Sequence, residues 1–290
     1  MNSHRTAKKQ MSESEPTIIK SAANPTVRRL VRMRDNRTRR RSGRFIVDGW
    51  RETQRAIQTN HELLGLYITE HDAADDDSSD PFAAEIQSVI SHADDAGLIQ
   101  LVSSSIMQKI SYGQSSRGVV AEFTQPNHAI GELRLPSSPL ILILDRIEKP
   151  GNIGAVFRCA DAAGIDAVIL CDCGSDLYNP NAIRSSLGTV FSVPVAVDSV
   201  SPIADYLIEN QIRIVAARVE SSDELWQTDL SGPLAIVLGN EAQGLGERWQ
   251  TLADNAIAGV RIPMSGHVDS LNISVSAAVI AFEAKRTRGL

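Results

Sequence analysis

Beyond Pro139 the chain alternates short apolar runs with segments in which apolar residues recur at helical spacing. The runs Leu140–Leu144, Ala167–Leu170, Ile212–Ala217, Leu234–Leu238 and Ala256–Ile262 are almost wholly apolar. Continuous runs of this kind predict strands buried on both faces, as in a parallel sheet. Helices are predicted near Ile153–Ala163, Pro180–Leu187, Pro202–Glu209, Leu245–Leu252 and Leu271–Arg286. The alternation is that of an open α/β sheet with helices on both sides.

The first part of the chain is patterned differently. Residues 1–20 are polar and lack an apolar period, which predicts a disordered tail. Val27, Leu30, Val31 and Met33 then form an apolar stripe at helical spacing. Strands are expected at Phe45–Val47, Leu63–Thr69, Ile99–Val102 and Gly118–Glu122, and helices at Trp50–Thr59, Phe82–His92 and Ser103–Ile110. An acidic loop is expected over His71–Asp80. These elements outline a small α/β domain over residues 21–125. The polar, Pro-bearing stretch 126–138 reads as a linker, and 139–290 as the second domain.

Charge changes this picture more than composition does. The chain has 290 residues, 42% hydrophobic and 22% charged, with a formal net charge of −6. Residues 1–60, however, hold 15 Lys/Arg against 5 Asp/Glu, whereas the remaining 230 hold 14 against 30. A basic arm on an acidic body is an electrostatic footprint for nucleic acid. The nine arginines between Arg28 and Arg44 are the candidates to neutralise phosphates, chiefly Arg28, Arg29, Arg39, Arg40, Arg41 and Arg44. The longest apolar stretches are too short to span a bilayer. The N-terminus lacks the apolar run of a secretory signal, so a cytoplasmic protein is expected. Cys159, Cys171 and Cys173 are odd in number, which argues against a disulfide framework. Cys171 and Cys173 have no second Cys/His pair at zinc-ligand spacing, and small buried residues at a strand end explain them; no metal is expected.

Three segments carry candidate chemistry, each at the carboxyl end of a predicted strand, where open α/β sheets bind ligands. In Leu144–Arg158, Asn152 is placed to cap the following helix, and Arg158 stands among Ala, Val, Phe and Cys, surroundings in which it needs a polar partner. Leu238-Gly239-Asn240-Glu241-Ala242-Gln243-Gly244 offers glycines for close backbone approach to a ligand. It is no phosphate loop, because no Lys-Ser/Thr follows and Glu241 repels phosphate. Ile262–Ser276 runs from a strand end into the last helix, with Asp269 or Ser270 as its expected cap and Ser270, Asn272 and Ser274 around its first turn. Taken singly, each segment is equally well an ordinary cap or tight turn.

Together, in this order and spacing, the segments resemble the SpoU (TrmH) family of RNA methyltransferases. Asn152, Gly154 and Arg158 match its N-x-G-x-x-x-R motif; Gly239, Asn240, Glu241 and Gly244 match G-N-E-x-x-G. Pro263, Met264, Gly266, Ser270, Leu271, Asn272 and Ser274 match the third motif, with Ile273 where the family usually has Val. Asn24-Pro25 and Arg44-Phe45-Ile46-Val47-Asp48-Gly49 are similar to the substrate-binding domain that precedes many such enzymes, which usually carry Glu-Gly at the last two positions.

The resemblance implies an α/β methyltransferase domain of the SPOUT class with a trefoil knot, preceded by a small α/β RNA-binding domain, in a homodimer. It implies transfer of a methyl group from S-adenosylmethionine to a ribose 2′-hydroxyl of structured RNA, ribosomal RNA ahead of tRNA. Gly239, Ile262, Leu271, Leu238, Met264 and Glu241 would hold the cofactor. Arg158, Asn152, Ser270 and Asn272 would form the catalytic group. Arg158 is either a base of unusual pKa or a cation that stabilises the developing alkoxide. Two other readings stand beside this one: a non-catalytic RNA-binding or ribosome-assembly protein, and a knotted methyltransferase acting on a base nitrogen.

Overall fold

Asn24 and Asp35 cap two consecutive helices near the start of the first domain. Asn24 Oδ1 accepts from Thr26 N at 2.8 Å ahead of α1 (Pro25–Arg32), and Asp35 Oδ2 accepts from Thr38 N at 2.8 Å ahead of α2 (Asn36–Ser42). The basic stretch is therefore a helical pair, ended by Gly43 in the left-handed region. The structure, a computed structural model, describes residues 17–74, 83–113, 117–221, 223–240, 244–252 and 255–289. The expected tail at 1–20 lies outside them as far as residue 16. Ile19 belongs to the fold, bridging Val102 in parallel.

β1 (Arg44–Asp48), α3 (Trp50–Gln58), β2 (Leu63–Ile68), α4 (Glu70–Ala74), α5 (Ala83–Asp95), β3 (Ile99–Leu101), α6 (Ser104–Ile110) and β4 (Val119–Thr124) complete the first domain. Its sheet runs β1-β4-β2-β3, antiparallel except for β2 with β3. The acidic loop expected at 71–80 begins as α4; its remainder lies outside the described residues.

The second domain contains β5 (Leu140–Asp145), α7 (Pro150–Ala163), β6 (Ala167–Cys171), α8 (Pro180–Ser185), β7 (Val195–Asp198), α9 (Val200–Glu209), β8 (Arg213–Ala217), β9 (Leu234–Leu238), β10 (Thr251–Leu252), β11 (Asn255–Ala256), β12 (Ala258–Val260) and α10 (Ile273–Thr287). Six strands form one wholly parallel sheet in the order β12-β8-β9-β5-β6-β7. Every residue of β5, β6 and β9 is buried, as their apolar runs predict. The strand order reverses between β5 and β9, and such a switch point opens a crevice at the carboxyl edge.

Two expectations need correction here. The helix expected at Leu245–Leu252 does not form. Gly244 and Gly246 sit at φ +59° and +58°, turns follow, and β10 pairs with β11. The expected strand Ala256–Ile262 is accordingly divided between β11 and β12. The apolar pattern of 245–252 instead records the burial of Leu245 and Trp249.

The segment 126–138 packs on the second domain through Ile130 and Leu133. The domains also share apolar core. Phe45 of β1 stacks on Tyr178 with ring centroids 4.0 Å apart, and on Phe191 at 5.8 Å. No helix among the described residues is long and apolar enough to cross a membrane.

Candidate active site

The carboxyl ends of β12, β8 and β9 surround a cavity of about 470 Å³. Leu238 and Gly239 follow from β9, Arg218 and Glu220 from β8, and Arg261, Ile262 and Met264 from β12. Ser270, Leu271, Ile273 and Ile280 close it from the start and body of α10. Five of the residues expected to hold the cofactor thus share one wall system: Leu238, Gly239, Ile262, Met264 and Leu271. Glu241, the sixth, lies outside the described residues.

The second motif forms this wall because its backbone folds back on itself. Gly244 N donates to Asn240 O at 2.8 Å. A Cβ on Gly239 would stand 2.6 Å from Gly244 C and 2.7 Å from Leu245 N, so a larger residue would force the loop open.

Across the switch point the loop is tied to β5. Asn240 Nδ2 donates to Arg146 O at 3.0 Å, and Arg146 Nη2 donates to Leu245 O at 3.3 Å. Arg146 Nε also pairs with Asp145 Oδ2 at 3.1 Å, where Asp145 is fully buried. Arg248 spans Asp145 and Asp172 from the other side. Asp145 and Arg146 stand just ahead of the first motif, but their function was not legible there, because Asn240, Leu245 and Arg248, which they hold, lie some hundred positions away.

The catalytic candidates stand beside this cavity. Asn152 does not cap α7 as expected. The helix begins at Pro150, whose ring suits the first position, and Asn152 lies inside the first turn. The cap of α10 is Asn272, not Asp269 or Ser270: its Oδ1 accepts from Ser274 N at 3.0 Å and Ser274 Oγ at 2.7 Å. Asn272 Nδ2 in turn donates to Asn152 Oδ1 at 3.4 Å, joining the first and third motifs. Ser270 and Leu271 line the cavity immediately before Asn272, so the cavity and this polar pair adjoin. Gly154 serves packing. A Cβ there would collide with Ser185 Oγ and the Ala182 carbonyl oxygen, so the glycine lets α7 lie against α8.

Arg158 departs from expectation. It is exposed on α7 and makes no hydrogen bond or ion pair among the described residues, although its neighbours Phe157 and Ala160 are buried. Helix geometry turns the guanidinium away from those apolar neighbours, so no internal partner is required.

The basic helices divide the remaining arginines. Arg28, Arg40 and Arg41 are exposed, together with Arg32 and Arg37. Arg29 and Arg44 are partly exposed and converge on the buried carboxylate of Glu122, at 2.8 and 3.1 Å. Arg39 is withdrawn from any RNA-facing set. Its side chain is 1% exposed, donating to Met33 O at 2.7 Å and Arg34 O at 2.8 Å and pairing with Asp176 at 2.5 Å. It is a domain-joining residue.

Sequence reasoning also missed Arg218 and Glu220. The signal was available: both follow β8 at the same sheet edge as the three motifs. Among the described residues no group of three or more His, Cys, Asp or Glu is placed to hold a metal ion.

Comparison with known proteins bears on this geometry. Residues 139–282 match the model of the SpoU rRNA Methylase family, and residues 24–121 that of the MRM3-like substrate binding domain. The 23S rRNA (guanosine-2′-O-)-methyltransferase RlmB of Yersinia pestis is 34% identical over 212 residues, 71% of this chain and 85% of the relative. A crystal structure of an RNA 2′-O ribose methyltransferase superposes with a TM-score of 0.76 at 35% identity, over 94% of this chain and all of the other. An AdoMet-bound rRNA methyltransferase from Sinorhizobium meliloti gives a TM-score of 0.77 at 25% identity, over 94% and 98%.

Proposed function

The chain belongs to the SpoU rRNA methylase family, and from that premise we propose that it transfers the methyl group of S-adenosylmethionine to the 2′-hydroxyl of a ribose in ribosomal RNA. The observation that carries this reading is the junction at residues 270–272: Ser270 and Leu271 wall the cavity, and Asn272 binds Asn152 on the helix that bears Arg158.

The cavity fits the cofactor. Its volume is that of a small-molecule site. Leu238, Val260, Ile262, Leu271 and Ile280 supply apolar wall for an adenosyl group, and the backbone of Gly239, Asn240 and 244–246 supplies polar groups. Arg218 has a buried Nη2 without a partner, a donor suited to an anionic group of the ligand. When bound, the cofactor supplies the electrophilic methyl group, so the protein's own work is positioning and activation of the hydroxyl. Asn152 and Asn272 orient the ribose. The Arg158 guanidinium stabilises charge developing on the attacking oxygen, while the proton leaves to water or a phosphate oxygen.

The exposed arginines of α1 and α2 hold RNA. Charge reversal at Arg40 and Arg41 is expected to weaken RNA binding and flatten its salt dependence, by a slope change of about 0.7–0.9 for each phosphate that is no longer neutralised. Unchanged binding and slope would remove that face from the substrate path. The molecule acts in the cytoplasm as a homodimer. Val275 and Phe282 are 46% and 53% exposed on α10, with Val279 between them on the same stripe, an apolar face suited to a second copy of the chain. An equilibrium sedimentation mass of one chain would contradict the dimer. Mapping of 2′-O-methyl positions in RNA from cells with and without the gene tests the reaction: one ribosomal position is expected to vanish. An intact map, or the loss of a methylated base, would overturn it.

A further inference from the structure

We propose that Arg218 recognises the α-carboxylate of the methyl donor, and so selects an amino-acid-bearing adenosyl ligand over its truncated relatives. This rests on the cofactor reading of the cavity. Arg218 is the first residue beyond β8, and its side chain is only 9% exposed. Nη1 donates to Gly246 O at 2.9 Å, which fixes the guanidinium against the second motif, and lies 3.5 Å from Glu220 Oε1. Nη2 has neither a hydrogen-bond partner nor contact with solvent. A buried charged donor left unpaired is costly, so the site favours a ligand that brings an acceptor.

The donor's chemistry supplies one. Its adenosine is neutral, its sulfonium and ammonium are positive, and its single anion is the carboxylate, a planar acceptor matched to the guanidinium fork. Arg261, the other cation lining the cavity among the described residues, is already paired with Glu224 at 2.9 Å. Glu220 is 66% exposed, leaving most of its carboxylate to water. Arg218 is therefore the cation with donor capacity to spare in this wall.

The test is titration calorimetry on the full chain with S-adenosylmethionine and with its decarboxylated analogue, which differs only in that group. The wild type is expected to prefer the carboxylate-bearing ligand by on the order of tenfold. Arg218→Met is expected to bring the ratio close to one while still binding the analogue, Arg218→Lys to keep part of the preference, and Arg261→Met to keep it all. A wild-type ratio of one, or an unchanged ratio in Arg218→Met, overturns the proposal. So does loss of the preference in Arg261→Met. A wild type that binds neither ligand overturns the cofactor reading, and this inference with it.

Discussion

Arg158 and Gly154 occupy the same motif and do different physical work. Arg158 is exposed and unpartnered among the described residues, so its charge is available to a ligand. Gly154 is packed against α8 and sets the distance between α7 and α8. Gly154→Ala is expected to destabilise the fold by about 1–3 kcal/mol through overpacking, read as a lower midpoint in urea. A midpoint within error of wild type would show that α8 yields freely. The motif alone could not separate these roles, because spacing records that residues are needed and not whether packing or chemistry needs them. Arg39 teaches the same lesson. As one of nine arginines in a basic run it looks like its neighbours, and only its bond to Asp176, 137 positions away, shows that it joins domains.

Among the elements, strand ends carry the site. Continuous apolar runs made β5, β6 and β9 legible, since burial on both faces leaves little polar to confuse the pattern. β7, flanked by Pro194 and ending in Asp198, is too short and too polar for that signal. At 245–252, two left-handed glycines override the helical period. What spacing could not show is the clasp at the switch point, in which Asp145 and Arg146 hold Asn240, Leu245 and Arg248 against the end of β5. Arg146 adopts φ +54° there, uncommon for a residue other than glycine. Arg146→Met is expected to free the loop and raise the dissociation constant for S-adenosylmethionine several-fold, with kcat at saturating cofactor reduced much less. Equal affinity in the variant would show that the loop holds its shape without the clasp.

The whole molecule is two domains with a common core and a divided charge. The Phe45–Tyr178–Phe191 stack continues into His61, and His128 Nε2 lies 2.6 Å from Tyr178 Oη. Burial, with His61 nearby, pushes His128 down to about 4 from its ordinary 6.5. A folded pKa below the unfolded one means that the unfolded chain binds more protons between these values. The contribution of His128 is therefore complete above about pH 6.5 and lost progressively as pH falls towards 4, by about 2 kcal/mol for this half-buried group. Burial lowers His61 in the same direction. Denaturation midpoints should fall over that window, and His128→Gln should flatten the slope; an identical slope in the variant would place the titration elsewhere.

We propose that this α/β body methylates ribose at a site where Arg158 acts on the hydroxyl and the 470 Å³ cavity holds the cofactor. It is tested most directly with purified protein, labelled S-adenosylmethionine and ribosomal RNA lacking the modification, comparing the wild type with Arg158→Ala for methyl transfer and cofactor affinity. The wild type is expected to yield 2′-O-methylated nucleoside, Arg158→Ala to be slower by about two to three orders of magnitude, and both to bind the cofactor equally. A methylated base, no transfer by the wild type, or near-normal turnover in the variant would contradict it.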